Sequence, residues 1–273
     1  MNLAQIAKQQ QFIGLFVGKN GSGKSGAAAS FAELGPVKLY DLDERARGIL
    51  GIKDILGIDN LKKIEVVKVA FEKGWAEFDK LLEMDLVKQK NGQFPYKTVI
   101  LDSAANLQKF LVSDSQRLRG SKGKSRGAID FWTPDDYNYC SSGFFAFFYE
   151  YARKLGCNFI MTGWMVDRYA KPEATKENAD VTYAPNEIVG QKILLTEKLA
   201  EEVPGYFDEV YTFEKEEYNG RVKYFATFES TLAKTCHPAL RKKLKLDFTD
   251  KSFYTEYSKL IAGEMDALAE KLA

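Results

Sequence analysis

Gly18-Lys19-Asn20-Gly21-Ser22-Gly23-Lys24-Ser25 decides how the rest of the chain is read. An apolar run, Phe12 to Val17, precedes it and reads as a buried strand. Gly26-Ala27-Ala28-Ala29-Ser30-Phe31 follows and reads as the start of a helix. The spacing is GxxxxGKS, the phosphate-binding loop, flanked by strand and helix in the order that motif requires. Glycines let the backbone close around phosphate oxygens, and the helix N-terminus adds partial positive charge at the same point. The whole stretch Gly18, Lys19, Asn20, Gly21, Ser22, Gly23, Lys24, Ser25 and Gly26 is therefore the expected nucleotide cradle. Lys24 is expected to reach the β- and γ-phosphates of ATP, and the Ser25 hydroxyl to hold Mg²⁺.

Outward from this loop, strands alternate with helices. Val37 to Tyr40 reads as a strand that ends in the acids Asp41, Asp43 and Glu44, and Ile64 to Val69 as a third strand. Phe71 to Lys88 has a helical apolar period broken by Asn91-Gly92. Thr98-Val99-Ile100-Leu101-Asp102-Ser103 is an apolar strand ending in an acid. Behind a phosphate loop, Asp102 is expected to bind Mg²⁺ through water. Ala104 to Leu118 reads as a helix, Ser142 to Leu155 as an aromatic-rich buried helix, and Asn158 to Gly163 as a fourth core strand. The end of that strand, Thr162-Gly163-Trp164, should face the nucleotide, with Thr162 placed to sense the γ-phosphate. This alternation predicts a parallel sheet with helices on both faces. Asn219-Gly220 marks a hairpin that extends the sheet with antiparallel strands. Ser252 to Leu272 reads as an amphipathic terminal helix. The simplest partition is an ATPase domain over 1–248 and a C-terminal helix over 249–273.

Composition sets the outer bounds. Hydrophobic content of 45% and charged content of 28% are those of an ordinary globular chain of 273 residues. Lys plus Arg number 39 against 38 for Asp plus Glu, so no global field draws the chain to nucleic acid or membrane. The run Arg117 to Gly127 breaks that neutrality locally, with five cations, three glycines and no acid. It reads either as a solvated surface loop or as a contact to a phosphate backbone through Arg119, Lys122, Lys124 and Arg126. Phe131, Trp132, Tyr137 and Tyr139 follow, available either for stacking bases or for the core. Asp167 to Glu187 is a long polar segment, functional or disordered. Cys140, Cys157 and Cys236 lack metal-ligand spacing, and His237 is the only histidine, which argues against a zinc site or a histidine-based triad. Met1 to Gln11 has no apolar signal core and no run reaches the roughly 18 residues that span a bilayer. A cytoplasmic location, in the host cytoplasm if the chain is viral, is expected, with no membrane partner.

Two resemblances follow from these residues. Val99 to Leu107, an apolar strand followed by Asp-Ser-Ala, resembles the second motif of RecA-like P-loop ATPases. The relatives in view are the small phage recombination and single-strand annealing ATPases of the RecA/RadA group. The resemblance implies a RecA-like core, with an acid just beyond the second strand activating water; Asp43 falls there, with Glu44 beside it. It implies DNA contact by the loop that here carries Lys122, Lys124 and Arg126, and a second DNA loop at Asp167 to Glu187. It also implies self-association into a ring or filament, with Lys234 or Arg241 reaching a neighbour's nucleotide. This chain departs from the group at Gly163-Trp164, where a polar sensor pair is usual. The second resemblance is to ParA-like and MinD-like dimerising ATPases, through Lys19 and Asp41-Leu42-Asp43. The reading favoured is an ATPase acting on single-stranded DNA in recombination or annealing. The alternatives are a dimerising switch, or a packaging or helicase-loading ATPase with protein partners.

Overall fold

Ile13, Leu15 and Val17 of strand β1 (Ile13–Gly18) pack into one apolar cluster, while Phe12 and Phe16 pack into another. This period of two, repeated in the neighbouring strands, builds a sheet buried on both sides. In β4 (Thr98–Asp102), Val99 and Leu101 face the first cluster and Ile100 the second. In β5 (Asn158–Tyr169), Phe159 and Met161 oppose Ile160 in the same way. The computed structural model describes residues 11–71, 74–120, 132–169, 188–228, 232–235, 240–241 and 245–272.

Among the described residues the sheet has nine strands in the order β3 (Ile64–Lys68), β2 (Val37–Asp41), β4, β5, β1, β7 (Glu209–Tyr218), β8 (Arg221–Thr227), β9 (Lys245–Asp247), with β6 (Ile188–Ile193) paired to β5. Strands β2 (Val37–Asp41), β3 (Ile64–Lys68), β4, β5 and β1 are all parallel. Helix α1 (Lys24–Ala29) and the turn after it contribute Ala27 to Ala29 and Phe31 to the second cluster. The short helices α2 (Lys53–Leu56) and α3 (Ile58–Leu61) lead into β3. On the opposite face lie α4 (Gly74–Lys90), α5 (Ala104–Gly120) and α6 (Pro134–Ala146), through residues such as Phe78, Phe110 and Phe144. The α/β class, the mostly parallel sheet with helices on both faces and the antiparallel C-terminal strands are those the sequence leads one to expect.

Several local expectations need correction. The hairpin around Asn219-Gly220 is present, with both turn residues at positive φ (50° and 71°) as a two-residue hairpin turn favours. Only its second strand, β8 (Arg221–Thr227), runs antiparallel; β7 (Glu209–Tyr218) pairs with β1 in parallel. Helix α6 starts at Pro134, earlier than the aromatic pattern suggested. Thr133 and Asp136 form a capping box there, and a π-helical turn over Phe147–Ala152 ends the segment. Strand β5 continues to Tyr169 and pairs with β6 (Ile188–Ile193), so the polar segment starts inside a strand; residues 170–187 lie outside the described residues. Beyond α7 (Glu197–Glu202) and β9 (Lys245–Asp247), the terminal helix α8 (Phe253–Leu272) places Phe253 and Tyr257 in the same cluster as Phe16, Phe31, Tyr211 and Phe213. Its first turns are thus core. No helix among the described residues is long and apolar enough to cross a membrane.

One buried ion pair joins β2 to α4. Both oxygens of Asp85 accept from Lys38 Nζ at 2.7 Å, and the Tyr40 hydroxyl donates to the same carboxylate. Both charged side chains are nearly sealed from solvent, at 6% and 1% exposure. Desolvating two charges cancels most of their attraction, so the intact pair adds little net stability. Removing one partner strands a buried charge: Asp85→Leu alone should cost about 3–5 kcal/mol in chemical denaturation. Lys38→Met with Asp85→Leu should recover most of that loss, short of about 1–3 kcal/mol for the orphaned Tyr40 hydroxyl. Phe16→Ala, which empties the place of a side chain at 0% exposure beside five other rings, should cost about 3–5 kcal/mol in the same assay.

Candidate active site

The phosphate loop leaves the carboxyl end of β1 between β5 and β7. Gly18 has to be glycine because an added Cβ would collide with the backbone carbonyl of Phe213 on β7, which cannot move aside. Gly23 takes φ +90°, and the rings of Tyr224 and Phe248 press to 3.2 Å from where its Cβ would sit. The loop is clamped by the very strands that the hairpin adds. Lys24 folds back over it, and its Nζ donates to the carbonyls of Gly18 and Lys19 at 2.9 Å each. Burial pushes its amine down to about 8, against the pull of Asp102 and Asp43.

Asp102 ends β4 with its carboxylate held at both oxygens. Ser25 Oγ donates to Oδ2 at 2.7 Å, and the fully buried Thr162 hydroxyl donates to Oδ1. Three strands or their exits meet on this one group. One hydroxyl and one carboxylate oxygen side by side suit a hard cation that takes its other ligands from phosphate and water, as Mg²⁺ does. The Asp102–Ser103 peptide is cis.

Asp43 lines the same cleft, and Ser103 Oγ donates to it at 2.8 Å. Burial raises its carboxyl above the usual range; the Ser103 hydrogen bond pulls it down, Asp102 adds to the rise, and Arg45 offsets part of it. The segment is fixed from two sides. Leu42 N and Asp43 N donate to the Asp102 carbonyl at 2.7 and 3.2 Å, and Asn106 Nδ2 donates to the Leu42 carbonyl at 2.9 Å. Glu44, at positive φ (55°), is exposed and is not among the residues that line the cleft. Asp41 accepts from the backbone N–H groups of Arg45 and Ala46, so it shapes the turn.

The cleft has a volume of about 410 Å³. Its polar end holds Lys24, Ser25, Asp43, Asp102, Arg45 and Trp164, and Ile52, Ile55, Tyr224 and Phe248 supply apolar wall elsewhere. Trp164 lines the cleft where the sequence expects the end of the Thr162-Gly163-Trp164 stretch to face the nucleotide, whereas Arg45 carries no sequence signal beyond following Glu44. Lys19, the residue behind the ParA-like resemblance, pairs with Asp167 of the same chain at 3.2 Å.

The remaining expected residues do not converge here. Lys122, Lys124 and Arg126 lie outside the described residues. Arg119, expected at DNA, instead binds Asp136 at 2.8 Å and the Thr133 hydroxyl at 3.0 Å, clamping the end of α5 to the start of α6. Lys234 and Arg241 are exposed; the backbone of Lys234 pairs with Val210, and Arg241 Nε donates to the Thr235 carbonyl at 2.9 Å.

Two solved structures are distantly similar. The first is a KaiC-like protein from the hyperthermophilic archaeon Pyrococcus horikoshii, 15% identical with a TM-score of 0.42 over 80% of this chain and 77% of that one. The second is the flagellar accessory protein FlaH of Methanocaldococcus jannaschii, 11% identical with a TM-score of 0.38 over 82% of each chain. No curated protein matches the sequence significantly. A family model described as an AAA domain, AAA_24, matches residues 11–237, which take in the phosphate loop, Asp43, Asp102 and Thr162. The chain belongs to that AAA-domain family.

Proposed function

We propose that this chain hydrolyses ATP by direct attack of water and couples the reaction to single-stranded DNA in recombination or annealing. The observation that carries the hydrolytic part is the convergence of Ser25, Thr162 and Asp102 beside Lys24 and Asp43. Phosphoryl transfer needs positioning and charge neutralisation more than covalent chemistry, and this cluster offers both. The loop backbone and Lys24 take the phosphates, and Ser25 and Asp102 would hold Mg²⁺, which when bound would supply charge neutralisation at the phosphate oxygens. Asp43 orients the water and accepts its proton; its raised carboxyl makes it a better base than a solvent-exposed aspartate. The water oxygen bonds to the γ-phosphorus while the bond from that phosphorus to the bridging oxygen breaks, leaving ADP and phosphate. The apolar wall of Ile52, Ile55, Tyr224 and Phe248 suits a nucleobase.

The DNA-directed part rests on composition and on two exposed rings. Trp132 and Tyr137, at 37% and 43% exposure, stand edge to face at 5.7 Å just after the cationic run. Such rings offer stacking faces where the preceding cations offer phosphate contacts. Tyr139 is engaged otherwise, donating to Asp114 at 2.6 Å. Assembly into a ring or filament on the strand, with Lys234 or Arg241 facing a neighbour's nucleotide, belongs to the same reading.

Two measurements test it. The decisive one is ATPase rate and binding with and without single-stranded DNA across a salt series. Stimulation that fades with salt is expected. Neutralising Lys122, Lys124 and Arg126 together should lower the salt slope of log K by about 2 without changing nucleotide affinity. DNA that neither binds nor stimulates would remove the recombination reading and leave the ATPase. The second concerns Lys24. Its amine stands near pKa 8 in the free protein, and added phosphate charge favours the protonated form, so ATP binding takes up a proton above that pH. Affinity should hold below about pH 8 and fall by up to about tenfold per unit above it. Titration calorimetry in buffers of different ionisation enthalpy reads the uptake directly; a pH-independent affinity to pH 9.5 would contradict it.

A further inference from the structure

Arg45 is a charged group in the cleft to which the mechanism above gives no work. It lies two residues beyond Asp43 and lines the cleft with Lys24, Asp102 and Trp164. Its guanidinium carbon sits 5.4 Å from the centre of the Trp164 ring. Trp164 is pinned in turn, because its backbone stands in register with Gly18, the first residue of the phosphate loop. The backbone of Arg45 is fixed too, its N–H donating to Asp41 Oδ1 at 3.0 Å and the next N–H to Oδ2 at 2.9 Å. No ion-pair partner holds Arg45 among the described residues.

A guanidinium over an aromatic ring gains a cation–π attraction without giving up its N–H donors. An arginine tied to a carboxylate would have those donors occupied and its charge cancelled. Here no carboxylate among the described residues hydrogen-bonds the guanidinium, although its charge acts on Asp43, and it lies at the end of the cleft where Lys24, Asp43 and Asp102 place the terminal phosphate. Tryptophan is the best of the aromatic faces for this purpose.

Resting on the ATPase reading, we propose that Arg45 is a catalytic residue acting in cis, binding the γ-phosphate oxygens of ATP and stabilising the charge on them during transfer, with Trp164 as its positioning residue. Arg45 makes and breaks no bond. The water oxygen attacks phosphorus, ADP leaves and Asp43 takes the proton as before. The consequence is that one chain carries its own cation for the reaction, in addition to any that Lys234 or Arg241 of a neighbour supplies.

The test is steady-state ATP hydrolysis with ADP binding measured alongside, in Arg45→Ala, Arg45→Lys, Trp164→Phe, Trp164→Ala and the double Arg45→Ala/Trp164→Ala. Arg45→Ala should lower kcat by about 10²-fold or more, the scale for a lost charge-stabilising donor, with ADP affinity within about twofold. Arg45→Lys should recover little, since lysine lacks the planar fork. Trp164→Phe should keep more activity than Trp164→Ala, and the double variant should be no worse than Arg45→Ala. The loss should be the same at every protein concentration. An Arg45→Ala kcat within twofold of wild type overturns the proposal, as does an equal loss of ADP binding or full additivity in the double variant. A wild-type chain that binds ATP without hydrolysing it overturns the ATPase reading itself. That failure is distinguishable, because Arg45→Ala would then have no rate to lose.

Discussion

The carboxylate of Asp102 is the point on which the site depends. It is nearly buried, and a buried carboxylate is tolerable only with hydrogen-bond donors on it. The donors are Ser25 from the phosphate loop and Thr162 from the middle of β5. They reach it because β5 lies between the strand that launches the loop and the strand that ends in Asp102. Were β1 and β4 direct neighbours, Thr162 would not stand between them. The strand order is therefore part of the chemistry, since it sets how far apart the lysine, the hydroxyls and the carboxylates lie.

Around that point the protein divides rigidity from reactivity. Two apolar layers hold the sheet against its helices, and the exits of β1, β2 and β4 carry Lys24, Ser25, Asp43 and Asp102 to the same cleft. The exit of β2 is tied by three hydrogen bonds to the Asp102 carbonyl and to Asn106, which fixes Asp43 without neutralising it. The loop is braced from the other flank by Tyr224 and Phe248, and the first turns of α8 pack behind them. A hydrolytic site needs its groups prepositioned, because reorganising them during transfer would consume the advantage of having them.

The edges of this frame lead away from the nucleotide. Lys19 reaches Asp167 near the end of β5, so the loop and the β5–β6 extension share an ion pair at 3.2 Å. Arg119 closes the junction of α5 and α6 against Asp136, and in sequence Lys122, Lys124 and Arg126 fall between those two helices. An arginine that composition alone would assign to the run belongs instead to its anchor. Counting charge in sequence cannot separate the two, because the partner that makes the difference is 17 residues away.

By itself, the sequence determined the phosphate loop, the alternation of strands and helices, the Asn219-Gly220 turn and the acid at the end of β4. Each of these is local: the backbone freedom of Gly23, a period of two along a strand, or a hydroxyl next to a lysine is decided by residues within one turn or one strand. It left Asp43 and Glu44 equal, misjudged where α6 begins, and passed over Arg45. Only the tertiary structure decided that Asp43 enters the cleft while Glu44 faces solvent, that β7 joins β1 in parallel, and that Trp164 lies under Arg45. Those outcomes depend on which strands pair and in what register, and the groups that meet come from far apart, 77 residues between Ser25 and Asp102 and 60 between Asp102 and Thr162. Local pattern carries no information about such pairings; they follow from burying both faces of one sheet at once.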